Sequence, residues 1–179
     1  MKNTIVSVSI LATGLAFSGV AHAAVVASST LNVSATVAVD CTVTTTPVNF
    51  GNLNAAQFSF SAASNGDISV TCSPGVLYNI TLDSGSTLVG IPNAFRQMTS
   101  LNDGVSRARY FLASDIGLAN QWGDAGYANT YPSGSSVSDT GNGVVQSHTV
   151  YGGATGADIF GTASPSGAYS DTVTVTVNY

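Results

Sequence analysis

Residues 30–41 read "TLNVSATVAVDC", and this alternation decides the fold class. Leu31, Val33, Ala35, Val37, Val39 and Cys41 share one phase, as in a strand with one buried face. Val25, Ala27 and Ser29 carry the same phase backwards. Unbroken, this predicts a strand of about seventeen residues spanning ~56 Å at ~3.3 Å per residue, where ordinary strands have about five or six. A domain of roughly 150 residues is too small to cover it. The segment must fold back with no turn residue to guide it, or project.

The far end of the sequence has the same character. In "DTVTVTVNY", residues 171–179, Val173, Val175, Val177 and Tyr179 fall on one face. Beyond Asp171 the run has none of the Lys, Pro or bulge devices that keep an edge strand from recruiting others. A spare strand at one end and an unguarded edge at the other are complementary. If the domain is a sandwich lacking one strand, the spare strand of one molecule can complete the sheet of the next. Such a head-to-tail contact does not close on itself, so it builds a fibre.

Between these ends, short alternating runs are separated by Gly, Pro, Asn, Asp and Ser, with no useful helical periodicity, which predicts an all-β sandwich. Ile68, Val70 and Cys72 share a phase in "GDISVTC", and Tyr78, Ile80 and Leu82 share one in "LYNITLDSG". Further strands are expected in "AFRQMTSL" from Ala94, "RARYFLAS" from Arg107 and "VVQSHTVYG" from Val144. Leu118 to Gly143 reads as loop with short edge pieces at most.

The start of the sequence reads as an export signal over residues 1–23. Lys2 gives the positive region, Ile5 to Val20 the apolar one, and Ala21-His22-Ala23 the small-x-small cleavage pattern. The apolar run is too short and too interrupted for a membrane anchor. The mature protein is therefore expected from Ala24, with a size suited to one domain. It keeps three cations, Arg96, Arg107 and Arg109, against nine Asp and no Glu, a net charge of −6 with histidine neutral. That balance argues against nucleic acid as a partner. Cys41 and Cys72, an even pair in an exported chain, are expected to form a disulfide rather than a redox or metal site.

Enzyme readings have little to build on. Once the signal leaves with His22, His148 is the one histidine available to a Ser-His-Asp triad, and mid-run in "QSHTVYGG" it reads as a strand-surface residue. The Asp residues stand singly beside Gly, Ser or Asn, as Asp83 and Asp103 do, which is turn chemistry. No calcium loop or zinc cluster is present in the sequence. Trp122 in "WGD", with Gln121 and Asp124, could stack on a sugar, but plugging one end of a sandwich explains it better. The arginines are expected to pair locally with Asp.

Several stretches taken together resemble the spore coat U domain family, and within it the major subunits of archaic (σ-class) chaperone–usher pili. These are "CTV" at 41–43, "VNFGNL" at 48–53, "GDISVTCSPGVLYNITLDSG" at 66–85, "RQM" at 96–98 and "RYFLASD" at 109–115, then "WGD" at 122–124, "VYGG" at 150–153 and "GAYSDTVTVTVNY" at 167–179. The resemblance implies an incomplete immunoglobulin-like sandwich, folded with a periplasmic chaperone, polymerised at an outer-membrane usher and completed by a donor strand from the neighbouring subunit. The donor, within residues 24–36 and its continuation, would present Val25, Ala27, Leu31, Val33, Ala35 and Val37. The acceptor groove of the domain, 37–179, would be edged by the strand around Cys41 and by Val173, Val175, Val177 and Tyr179. On this reading the chain is a rod subunit of a cell-surface fimbrium for adhesion and biofilm growth, with a tip adhesin as further partner, no cofactor and no catalysis. The alternatives are a secreted lectin-like sandwich using Trp122 and a spore-coat or matrix protein of the same fold.

Overall fold

The computed structural model describes residues 25–55, 58–60, 64–86, 95–127, 131–158 and 160–179. The expected signal segment and Ala94 lie outside these. The chain divides into two units, Met1–Thr36 and Val37–Tyr179. In the first, residues 25–36 adopt neither helix nor strand, and every one is exposed. Alternation specifies which face of a strand would be covered, but a strand forms only when a partner satisfies its N–H and C=O groups. The same holds for 37–40, so among the described residues regular structure starts at Cys41.

The second unit is all-β among the described residues, with nine strands. They are β1 (Cys41–Thr46), β2 (Ser64–Cys72), β3 (Leu77–Leu82), β4 (Arg96–Ser100), β5 (Arg107–Ala113), β6 (Val137–Thr140), β7 (Gln146–Ala154), β8 (Tyr169–Ser170) and β9 (Val175–Asn178). One sheet has the order β1-β2-β7-β5-β4-β8 and the other β6-β3-β9, and every pairing is antiparallel. Consecutive strands β2 and β3 lie in different sheets, so the chain crosses between layers as in immunoglobulin-like sandwiches.

The two phases read from the sequence meet in the middle. Ile68, Val70 and Cys72 from the larger sheet and Tyr78, Ile80 and Leu82 from the smaller one are all buried in one core. Trp122, 1% exposed, belongs to the same core, and its indole N–H donates to the Ile80 carbonyl at 2.9 Å. A sugar needs an open indole face to stack on, so the lectin reading of Trp122 fails. His148 is another correction. Register pairs it with Ile68, whose side chain points inward, so His148 is half-buried rather than on the surface, and its Nε2 lies 3.0 Å from the Tyr78 hydroxyl.

The disulfide joins Cys41 to Cys72, directly opposed residues of β1 and β2. It therefore staples an edge strand to its own sheet instead of bridging the two sheets. β1 depends on that staple, because five of its six residues are exposed and it adds little to the core. With 31 residues of separation the cross-link is worth about 3–4 kcal/mol in the chain-entropy treatment. We expect the Cys41→Ser/Cys72→Ser protein to lose that amount in urea denaturation; a loss under about 1 kcal/mol would show that β1 needs no staple.

Candidate functional site

The two sheets are unequal, six strands against three, and the inner face of the larger one is covered partly by the smaller sheet and partly by irregular chain. An apolar cleft of about 1070 Å³ results. Its floor is the inward face of the larger sheet, including Ile68, Ala108, Tyr110, Leu112 and Val150. The alternation in "RARYFLA" is what aims Ala108, Tyr110 and Leu112 inward while Arg107, Arg109 and Phe111 face outward.

One wall is the approach to the last strand. β9 pairs with β3 from Leu82↔Val175 to Asn79↔Asn178, and its other edge has no strand partner among the described residues. Val173, Val175 and Val177 are half-buried against the core, while Thr172, Thr174 and Thr176 between them are exposed. Val173 and Val175 line the cleft; Val177 packs on the core beyond it, and Tyr179 is exposed past the end of the ladder.

The other wall differs from expectation. β1 reaches the cleft with Thr45 and Thr46, not with Cys41, because the disulfide sits at the opposite end of the β1–β2 pair. The wall is the irregular stretch that follows, where Val48, Phe50 and Leu53 pack against the core. Gly152 of β7 makes room for it. A Cβ there would lie 2.8 Å from both Phe50 Cε1 and Val48 Cγ1.

Polar groups fix the first wall at one end of the cleft. The Tyr110 hydroxyl, rising from the floor, donates to Asp171 Oδ2 at 2.6 Å. Asp171 Oδ1 accepts the backbone N–H groups of Ser86, at 2.9 Å, and Thr172, at 2.8 Å. Burial, and then the Asp171 charge, push the Tyr110 phenol far above its usual range, so it stays a donor. Gly85, at φ +80°, is obligatory beside it, since a Cβ would come within 2.1 Å of Asp171 Oδ2. Three residues on, Thr174 donates its N–H to Asp83 Oδ1 at 2.9 Å, and its carbonyl accepts from Asp83 N at 3.1 Å. The aspartates thus do turn and strand-end chemistry. Asp103 is a further case: the Ser106 hydroxyl and the N–H groups of Val105 and Ser106 hold its carboxyl well below the usual carboxylate range.

The expected Arg–Asp pairing gives way to carbonyl binding. Arg96 is 0% exposed, and its guanidinium donates to the carbonyls of Leu82, Asp83 and Trp122. Arg107 donates to Gly104, Val105 and Ser106, and Arg109 to the Phe58 carbonyl and Thr155 Oγ1. Loop and strand ends leave unpaired carbonyls, and a planar five-donor cation satisfies several at once.

The expected donor residues are uncovered. Leu31 is 88% exposed, Val33 86% and Val37 93%, and Val25, Ala27 and Ala35 are exposed as well. Single exposed apolar residues are ordinary, but a run of them in one phase marks a surface meant for cover.

Comparison with curated proteins returned no match. Among solved structures, the chain is similar to the CsuC–CsuE chaperone–tip adhesion subunit pre-assembly complex from archaic chaperone-usher Csu pili of Acinetobacter baumannii. The match has a TM-score of 0.48 and 22% identity and covers 80% of this chain. This chain spans only 41% of that one's length. Residues 27–176 match the model of the Spore Coat Protein U domain, nearly all of both the exposed N-terminal run and the sandwich. The chain belongs to the Spore Coat Protein U domain family.

Proposed function

We propose that the protein is a rod subunit of a surface fibre assembled by the chaperone–usher route, in which residues 24–36 of one copy enter the cleft of the next. The observation that carries this is the apolar cleft beside the edge of β9 that pairs with no strand among the described residues, in a chain with exposed, alternating apolar residues of its own. An entering strand would pair with β9 through its backbone. It would direct Val25, Ala27, Leu31, Val33, Ala35 and Val37 into the cleft, adding a strand to the smaller sheet. Val173, Val175, Val177 and Tyr179 mark the edge it would run along.

Carrying both donor and groove makes a chain an internal link, which supports a rod role; a fibre tip needs only the groove. Before assembly the same cleft leaves backbone and apolar groups unsatisfied. That favours a periplasmic chaperone as temporary occupant, an outer-membrane usher as assembly site and a tip adhesin at the far end. The fibre would serve adhesion and biofilm growth at the cell surface. Full burial of Leu31 and Val33 contributes ~1.5–3 kcal/mol each, against ~1–2 kcal/mol per ordered backbone residue. Persistence would then rest on slow strand exit as much as on depth.

The test uses the mature protein on SDS gels. Unheated samples are expected to run as a ladder of multiples and boiled samples as a single band. A single band in both lanes at assembly concentrations would sink the reading.

A further inference from the structure

A head-to-tail fibre under tension loads each subunit at two places. One is the cleft, which grips the strand of the previous copy; the other is the point where the subunit's own strand leaves for the next. The second is well defined in the fold. Among the described residues the ordered ladder begins at Cys41, so tension carried by residues 24–36 enters the sandwich at Asp40 and Cys41.

β1 is poorly suited to take that load. Five of its six residues are exposed, and tension at one end of a ladder breaks its hydrogen bonds in turn, each weak on its own. Beyond β1 the chain runs on into the cleft wall, Val48, Phe50 and Leu53. A β1 that peels therefore drags away the wall that grips the previous subunit's strand.

The junction is tied to the core at that very point. Cys41 is bonded to Cys72, its direct partner on β2, which is 1% exposed. One residue earlier, the Asp40 N–H donates to Ser73 Oγ at 3.1 Å, and the Asp40 carbonyl accepts from Ser73 N at 3.0 Å. β2 is held in turn by β7, from Ser64↔Gly152 to Val70↔Gln146. We propose that the Cys41–Cys72 disulfide is the load-bearing joint of the fibre, a covalent bypass that passes tension from the departing strand into β2 and spares β1 and the cleft wall. This rests on the donor-strand reading above. It also accounts for the position of the bond. A staple at any pair of β1 and β2 closes a loop, but at the first pair it stops peeling before it starts.

The experiment pulls single fibres of the full mature chain at constant load, before and after dithiothreitol, with thiol labelling to score loss of the bond. We expect reduction to shorten the lifetime under load at least about tenfold, the factor for the yielding of even one ladder hydrogen bond. Unloaded fibres of both forms should persist alike. Reduced fibres should also lengthen before breaking by up to ~80 Å per yielding subunit, the reach of the roughly 23 residues of 41–63 at ~3.3–3.6 Å each. Oxidised fibres should show no such step. Equal lifetimes under load overturn the proposal. So does loss of unloaded fibres on reduction, which is what general stabilisation by the disulfide gives. If dithiothreitol does not reach the bond, the Cys41→Ser/Cys72→Ser chain replaces the reduced arm under the same criteria, and its failure to assemble counts as the general role. Wild-type chains that form no fibre would bring down the donor-strand reading and this inference with it; fibres equally durable in both states refute the joint alone.

Discussion

The mature chain carrying Leu31→Asp and Val33→Asp is expected to stay monomeric at concentrations where wild type is fully assembled. Each substitution forfeits ~1.5–3 kcal/mol of apolar burial in the complex. Each also demands that a carboxylate enter a cleft whose floor offers Ile68, Ala108, Leu112 and Val150, at an effective cost of several kcal/mol. The combined penalty is roughly 8 kcal/mol or more, upwards of 10⁵ in affinity. The isolated chain should barely respond, because both side chains are almost fully exposed there and exposed changes usually stay within about 0.5 kcal/mol. Unchanged urea denaturation with abolished assembly is therefore the signature. Asn32→Asp with Ser34→Asp supplies the control, adding the same charge on the opposite phase, and should assemble normally. Since its own cleft is intact, the Leu31/Val33 variant can accept a strand but not give one, so mixing it with wild type should shorten the ladders. Normal ladders from the Leu31/Val33 variant would exclude this segment as the donor.

What the sequence made legible was whatever obeys a period of two. Ile68-Val70-Cys72, Tyr78-Ile80-Leu82 and Val173-Val175-Val177 each fell on the face that packs, because alternation is imposed by the pleat and needs no tertiary knowledge. The first wall of the cleft was readable for that reason. The second was not: Val48, Phe50 and Leu53 contribute from an irregular stretch, with spacings of two and three, and the room above Gly152 is what lets Val48 and Phe50 lie so close to β7. Tyr110 sat in a readable phase with Ala108 and Leu112, yet its bond to Asp171 joins residues 61 apart and depends on how the layers meet. His148 and Arg96 were misplaced for a related cause. A polar side chain reads as surface until the three-dimensional fold brings it a phenol or a set of carbonyls.

Arg96 shows how much such a hidden arrangement carries, and Arg96→Lys is expected to destabilise the domain by about 3–5 kcal/mol, the usual cost of breaking a buried charged contact. The guanidinium Nε reaches the Asp83 carbonyl at 2.7 Å, while Nη2 is shared between Leu82 at 3.0 Å and Trp122 at 2.9 Å. Its carbon lies 3.9 Å from the centroid of the Tyr131 ring. Burial lowers the Arg96 pKa, but an arginine stays charged regardless, so the site is built around a permanent planar cation. Lysine brings one ammonium on a different stem. It cannot present the same fork to carbonyls at the end of β3 and beside Trp122, and unpaired buried carbonyls cost about 1–3 kcal/mol each. For a domain of ordinary stability, about 5–15 kcal/mol, that is a large fraction. Arg107→Lys is the matched comparison: Arg107 is half-buried on carbonyls of its own turn, and its replacement should cost under about 1 kcal/mol. Trp122, the sole tryptophan, gives the readout, its fluorescence reporting unfolding in urea. Arg96 holds Asp83, and Asp83 holds Thr174 at the head of β9, so the Lys variant should also assemble poorly even below its unfolding midpoint. Equal stability of the two lysine variants would mean that the buried fork is dispensable, and that packing around Tyr131 and Trp122 alone joins the layers.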